Sequence, residues 1–236
     1  MEIFLELDTW VALLTLTFME IVLGIDNIIF ISIVAGKLPA DQQKKARFWG
    51  LGLALIMRIA LLFSITWLIG LTEPVLSISD FDLSWRDIIL AAGGIFLIVK
   101  SIMEIHHKVE GDEEKLVDTK VNTFGYAILQ IVLLDIIFSF DSILTAIGLT
   151  EQILLMVIAV IVSIGVMMVF AKSIGDFVNK YPTLQILALS FLILIGFMLV
   201  IEGLHYHVPK GYIYFAVFFS LIIEMLNIRY RTKRVK

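Results

Sequence analysis

Seven long apolar runs limit what this chain can fold into. They cover roughly residues 10–36, 48–71, 87–105, 123–149, 152–171, 183–203 and 211–228. A helix that crosses a bilayer needs about 17–25 mostly apolar residues, and every run is long enough. The breaks between them are polar and punctuated: Gly36-Lys37-Leu38-Pro39, Thr72-Glu73-Pro74, the charged stretch Lys108 to Lys120, Tyr181-Pro182 and Val208-Pro209-Lys210-Gly211. Leu149-Thr150-Glu151 is so short that the fourth and fifth runs must form an antiparallel hairpin. The alternation of a β-barrel is absent. With 60% hydrophobic and 17% charged residues and a mean hydropathy of +0.99, the chain has too little polar surface to cover a globule in water. The expectation is an all-α membrane protein: one transmembrane domain over 1–236, with seven helices.

Composition also removes several kinds of chemistry. Zero cysteines exclude disulfides, thiolate metal sites and thiol catalysis. There is no Walker loop, kinase motif, Ser/His/Asp set or HExxH motif, so the chain reads as not an enzyme, and as driven by something other than ATP. No cofactor is expected. The mixed run Lys108 to Lys115 lacks the alternating acids of a calcium loop. The basic tail Arg229 to Lys236 is too short for nucleic-acid binding and suits an anchor against anionic lipid.

Lys and Arg set the expected orientation. One face of the membrane receives only Arg86 and Lys210. The other receives fifteen: Lys37, Lys44, Lys45, Arg47, Lys100, Lys108, Lys115, Lys120, Lys172, Lys180, Arg229, Arg231, Lys233, Arg234 and Lys236. The amino terminus is therefore expected outside and the carboxyl terminus in the cytoplasm, in a multi-pass plasma (inner) membrane protein. The acidic start Met1 to Asp8 lacks a signal peptide's basic region, so the first span is expected to persist in the mature protein.

The chain also repeats itself. Glu20-Ile-Val-Leu-Gly-Ile-Asp26-Asn27 in the first run matches Asp135-Ile-Ile-Phe-Ser-Phe-Asp141-Ser142 in the fourth: acid, five residues, Asp, then a small polar group. A weaker echo joins Gly94 to Lys100 with Gly196 to Glu202 in the third and sixth runs. Three spans per unit is an odd number, so the second unit enters from the opposite side. The expected architecture is a 3+3 inverted repeat, about 10–105 and about 123–203, with the seventh helix, about 211–228, added.

Glu20 lies about ten residues below Trp10, roughly 15 Å in, which is the middle of a core about 30 Å thick. Asp135 reaches a similar depth from Thr123. Each buried acid costs about 2.5–3.5 kcal/mol at the bilayer centre, so four cost about 10–14 kcal/mol. Arg58, alone inside a span, balances one charge. The remaining three acids need protons or a cation that enters and leaves. Glu20 and Asp26 diverge on a regular helix, so Gly24, with Ser139 at the matching place, suggests a kink or break that exposes carbonyl oxygens. Carboxylate, amide, hydroxyl and carbonyl donors without thiolate or imidazole suit Mg²⁺, Ca²⁺ or Mn²⁺.

On these paired acidic motifs, in a seven-span chain with an acidic start, the sequence resembles the TerC family of integral membrane proteins. The resemblance implies a fold similar to the LysE-type exporters and export of divalent metal, chiefly manganese. It places the metal ligands on Glu20, Asp26, Asn27, Asp135, Asp141 and Ser142. No large soluble extension, such as some relatives carry, is evident.

The expected function is thus a secondary transporter exporting a divalent metal ion, with protons as the coupling ion and Arg58 balancing the empty site. The rival is a membrane factor that assists insertion or assembly of other proteins without transporting, its acids serving helix packing. Export of another small solute is a further alternative, disfavoured for an anion by one Arg against four acids. Partners are the bilayer and the metal ion; oligomeric state is open. His106 and His107 fall on the inner side and His205 and His207 on the outer, so they cannot share one site. Lys100 and Glu104 are expected to pair or snorkel. Glu202 is expected to be hydrated, and Glu224 to pair with a neighbouring helix at most.

Overall fold

The computed structural model describes residues 6–78, 81–110, 123–147, 150, 152–206 and 208–234, apart from a few side chains that include those of Asp26 and Asp141. Eight helices and one hairpin follow in the order α1 (Leu7–Gly36), α2 (Ala40–Phe63), α3 (Ile65–Gly70), β1 (Pro74–Ile78), β2 (Phe81–Ser84), α4 (Trp85–Glu110), α5 (Phe124–Ile147), α6 (Ile153–Lys180), α7 (Pro182–Gly203) and α8 (Lys210–Arg234). Among the described residues six helices are long and apolar enough to cross a membrane, and a shorter apolar stretch, Phe124–Phe140, lies within α5. The protein is an all-α membrane protein apart from the hairpin, which is a small antiparallel pair in the loop after α3.

Two compact units divide the chain. The first joins Met1–Arg86 with Val117–Phe177, and the second joins Asp87–Leu116 with Val178–Lys236. Each draws on both halves of the sequence.

In the first unit α5 packs against α1, α2 and α3, and α1 packs against α2. Its helix ends follow local chemistry. Asp8 lies in the first turn of α1, where the helix dipole favours an acid. At the other end, Gln43 Nε2 donates to the carbonyls of Gly36, at 3.3 Å, and Leu38, at 2.9 Å. This satisfies acceptors that the helix end leaves open.

The expected break in α1 is corrected by the structure. Helix α1 runs unbroken through Gly24, and α5 runs unbroken through Ser139. Gly24 serves packing instead: a Cβ there would lie 2.8 Å from Met167 Cε on α6. The interruption falls at Ser64, where the second apolar run splits into α2 and α3 and the Ser64 hydroxyl bonds back to Ala60 O at 2.9 Å. A serine that bonds its own preceding turn competes with the helix there.

The second unit is built on α4 and α7, with α8 packed on α7. The two glycines of the weaker echo meet. A Cβ on Gly196 would lie 2.7 Å from Gly94 O, and a Cβ on Gly94 would collide with Gly196 O. Close backbone approach of this kind requires small residues in membrane helices. Pro182 occupies the first turn of α7, where its missing N–H costs nothing.

Candidate ion-binding site

Three helices of the first unit bring polar groups together in an apolar surround. On α1, Glu20 and Asn27 are seven residues apart, two turns, and so share one face. On α5, Asp135 and Ser139 are one turn apart. Arg58 reaches them from α2 and is only 2% exposed. Its Nη1 donates to Glu20 Oε2 at 2.5 Å, its Nη2 to Asp135 Oδ1 at 3.0 Å and its Nε to Ser139 Oγ at 2.8 Å. The Ser139 hydroxyl donates in turn to Asp135 Oδ2 at 3.1 Å. Asn27 Nδ2 donates to Asp135 Oδ1 at 3.2 Å.

One guanidinium therefore holds the first acid of each repeated motif. Two carboxylates against one cation leave the cluster with a net charge of −1 when both acids are ionised. Among the described residues the Asn27 carbonyl oxygen, Oδ1, is buried without a hydrogen-bond partner. A buried amide oxygen left unsatisfied costs about 1–3 kcal/mol, and it is a hard donor suited to a cation.

The six expected ligands fare differently. Glu20, Asn27 and Asp135 converge. Ser142 is buried two turns beyond Asp135, and its hydroxyl bonds Ser139 O on its own helix at 3.2 Å. Asp26 and Asp141 belong to α1 and α5, and their side chains lie outside the described residues. The carbonyl oxygens of a broken helix are not offered here, because α1 and α5 are continuous. Among the described residues no group of three or more His, Cys, Asp or Glu side chains could hold a metal. Arg58 stands between Glu20 and Asp135, where a cation bound by both would sit. Ser139, expected to loosen the helix, is instead a direct partner of Arg58; its spacing of four from Asp135 was the available signal.

The second unit holds a histidine–carboxylate contact. His205 Nε2 lies 2.9 Å from Asp87 Oδ2. Asp87 is buried in the first turn of α4, and His205 sits just past the end of α7 with φ 66°. Asp87 drew no attention in the sequence because an acid opening a helix is commonplace. His106 pairs with Glu110 on an exposed surface at 3.1 Å; His207 lies outside the described residues. Glu104 is buried and Lys100 is half-buried. One turn further along α4, Lys108 Nζ donates to Gln185 Oε1, and Gln185 Nε2 donates to Asn179 Oδ1 at 2.9 Å.

A helical membrane protein with a charged cluster in its apolar interior is the class that fold and site define. The profile of the "Integral membrane protein TerC family" matches residues 5–236, and the chain belongs to that family. It is 55% identical to the UPF0053 inner membrane protein YgdQ of Escherichia coli K12 over 94% of this chain and 93% of the relative. A UPF0053 protein of Haemophilus influenzae is 49% identical over 95% of each chain. The UPF0053 inner membrane protein YoaE of Escherichia coli K12 is 46% identical over 96% of this chain but only 44% of its own length. No solved structure matches.

Proposed function

We propose that this protein is a secondary transporter that exports a divalent metal ion, Mn²⁺ by preference, across the plasma membrane. The observation that carries this reading is the bridge Glu20–Arg58–Asp135. Equivalent acids of two sequence motifs meet at one buried cation, in a place where an uncompensated acid is expensive. Arg58 acts as the counter-charge of the empty site. An incoming metal ion competes with it for Glu20 and Asp135 and gains the Asn27 carbonyl oxygen. Asp26, Asp141 and Ser142 complete the proposed ligand set. Protonation of the acids then weakens their hold on the cation and favours release.

The reciprocal approach of Gly94 and Gly196 supports the inverted-repeat architecture within this proposal, with α5 as the fourth of seven spans and α8 as the added seventh. Residues that are equivalent in two halves meet where an axis relates them. The inner membrane names of the relatives and the fifteen-to-two charge bias support the plasma membrane, with the amino terminus outside.

A second reading draws on the same bridge. Arg58 is already satisfied by two acids and a serine, as a purely structural buried network would be. On that reading the protein assists insertion or assembly of others and transports nothing. Purified protein in liposomes separates the two through direct measurement of Mn²⁺, Ca²⁺ and proton flux. Mn²⁺ flux that depends on Asp135 supports export. Intact, folded protein with no flux of any of these ions favours the assembly factor. Mn²⁺ should also bind more tightly than Mg²⁺, which gives up its waters reluctantly. Tightest binding of zinc, lost on replacing His205, would move the site away from Arg58.

A further inference from the structure

Helix α2 buries a second arginine. Arg47 and Arg58 are eleven residues apart, three helical turns, and share one buried stripe with Leu51 and Ala54. Arg58 is held by two acids and a serine. Arg47 is only 8% exposed, yet among the described residues its Nη1 is buried without a hydrogen-bond partner. The guanidinium is packed where residues of α1, α2 and α6 in the first unit meet. A Cβ on Gly175 would lie 3.2 Å from Arg47 Nη1 and 2.9 Å from Ser32 Oγ. The Ser32 hydroxyl gives its proton to Ile28 O at 2.7 Å. Arginine stays charged in proteins, and a buried charged donor without an acceptor is costly. An anion is the chemical complement that this cluster lacks.

Depth and surroundings select the anion. With Arg58 at the bilayer centre, Arg47 falls roughly 16 Å away, at the edge of a hydrocarbon core about 30 Å thick, where lipid phosphates lie. Phe48 and Trp49 are exposed beside it, with ring centroids 6.0 Å apart, as aromatic residues are at headgroup level. Lys44 precedes Arg47 by three residues on α2, and Lys172 precedes Gly175 by three on α6, so each shares its neighbour's helix face. Both lysines are exposed. We infer that Arg47 anchors the phosphodiester of an anionic phospholipid headgroup, with Lys44 and Lys172 at the rim of the site. The membrane face is the one that carries fifteen of the Lys and Arg residues. A guanidinium matches two phosphate oxygens in a fork, and basic pockets between helices at this level suit anionic headgroups. A free phosphate offers the same oxygens, but it gives no reason for exposed aromatic rings at its side. The site requires no ion movement, so it stands independently of the transport reading.

Phosphatidylglycerol, an anionic phosphodiester, is the probe, added to the delipidated full chain in detergent. It should raise the melting temperature, and the concentration giving the half-maximal rise measures the site. In about 0.15 M salt, where attraction to scattered surface charge is screened, Arg47→Gln should raise that concentration at least about tenfold, the scale of one lost charge-assisted contact. Lys44→Gln with Lys172→Gln changes only exposed residues and should raise it about threefold or more. Lys45→Gln removes the same charge two residues from Arg47, on another face of α2, and should change it less than about twofold. Melting curves before lipid is added show that each variant is folded, and the lysine variants keep the test decisive if Arg47→Gln does not fold. Zwitterionic phosphatidylcholine and inorganic phosphate should each raise the melting temperature far less. No rise with phosphatidylglycerol overturns the proposal, as do an equal rise with phosphatidylcholine and equal effects of Arg47→Gln and Lys45→Gln. An equal rise with inorganic phosphate alone makes the ligand a soluble anion and overturns the lipid assignment.

Discussion

Asn27 and Asp135, 108 residues apart in the chain, are hydrogen-bonded through Nδ2 and Oδ1 at 3.2 Å. That bond crosses from α1 to α5, the two helices that carry the repeated acidic motifs. It also orients the Asn27 amide, leaving its carbonyl oxygen buried beside the Arg58 bridge and, among the described residues, unpartnered. The last polar residue of the first motif thus touches the first acid of the second. The Arg58 guanidinium completes the junction by holding Glu20 and Asp135 together.

Arg58→Met should destabilise the apo protein by about 3–5 kcal/mol, because it strips two buried acids of their shared cation. Thermal melting in detergent measures the loss. Mn²⁺ should stabilise this variant more than wild type if the same carboxylates accept a metal once Arg58 has gone. A melting temperature indifferent to Mn²⁺ in both proteins would leave the bridge purely structural.

The acids should divide into two groups. Glu20→Gln and Asp135→Asn should lower stability, since each leaves Arg58 short of a carboxylate. Asp26→Asn and Asp141→Asn should raise apo stability by about 1–3 kcal/mol, the scale of one intramembrane acid relieved of its charge, while abolishing Mn²⁺ export. Stabilisation by added Mn²⁺ should largely vanish in the latter pair, because a ligand stabilises only the state it binds. Variants at Asp26 and Asp141 that melt lower and still export would sink the metal-site reading.

Two glycines should respond differently to the same added methyl group. In Gly94→Ala the methyl meets the backbone of Gly196, which cannot step aside without separating α4 from α7. A loss of about 1–3 kcal/mol is expected. In Gly24→Ala the methyl meets the end of the Met167 side chain. A flexible thioether can repack, so the cost should stay below about 1 kcal/mol. Comparative melting of the two variants decides it, with equal losses counting against the asymmetry.

Topology is accessible to impermeant thiol reagents in intact cells. A cysteine at Leu76, in the hairpin after α3, should react from outside, and one at 110–118 should react only after the membrane is breached. Reversed labelling would invert the orientation and every depth inferred from it.

The amino-acid sequence by itself determined the membrane class, the places of the apolar helices and the isolation of Arg58 among acids. Those properties depend on local composition: a long apolar run must become a helix in lipid, since no water is there to satisfy its backbone. Periodicity could also have paired Glu20 with Asn27, seven residues along one helix face. It could not show that Arg58 binds both Glu20 and Asp135, because three helices distant in sequence must first pack to bring them together. Nor could it decide between the two roles open to a glycine. Gly24 promised a break by its backbone freedom, yet the neighbouring Met167 uses the missing side chain as packing space, and α1 stays helical through it. Conversely, Ser64 ends α2 where hydropathy alone continues the run. Hydropathy reports what a segment can be buried in; contacts across helices decide where that segment breaks and which of its charges are already paired.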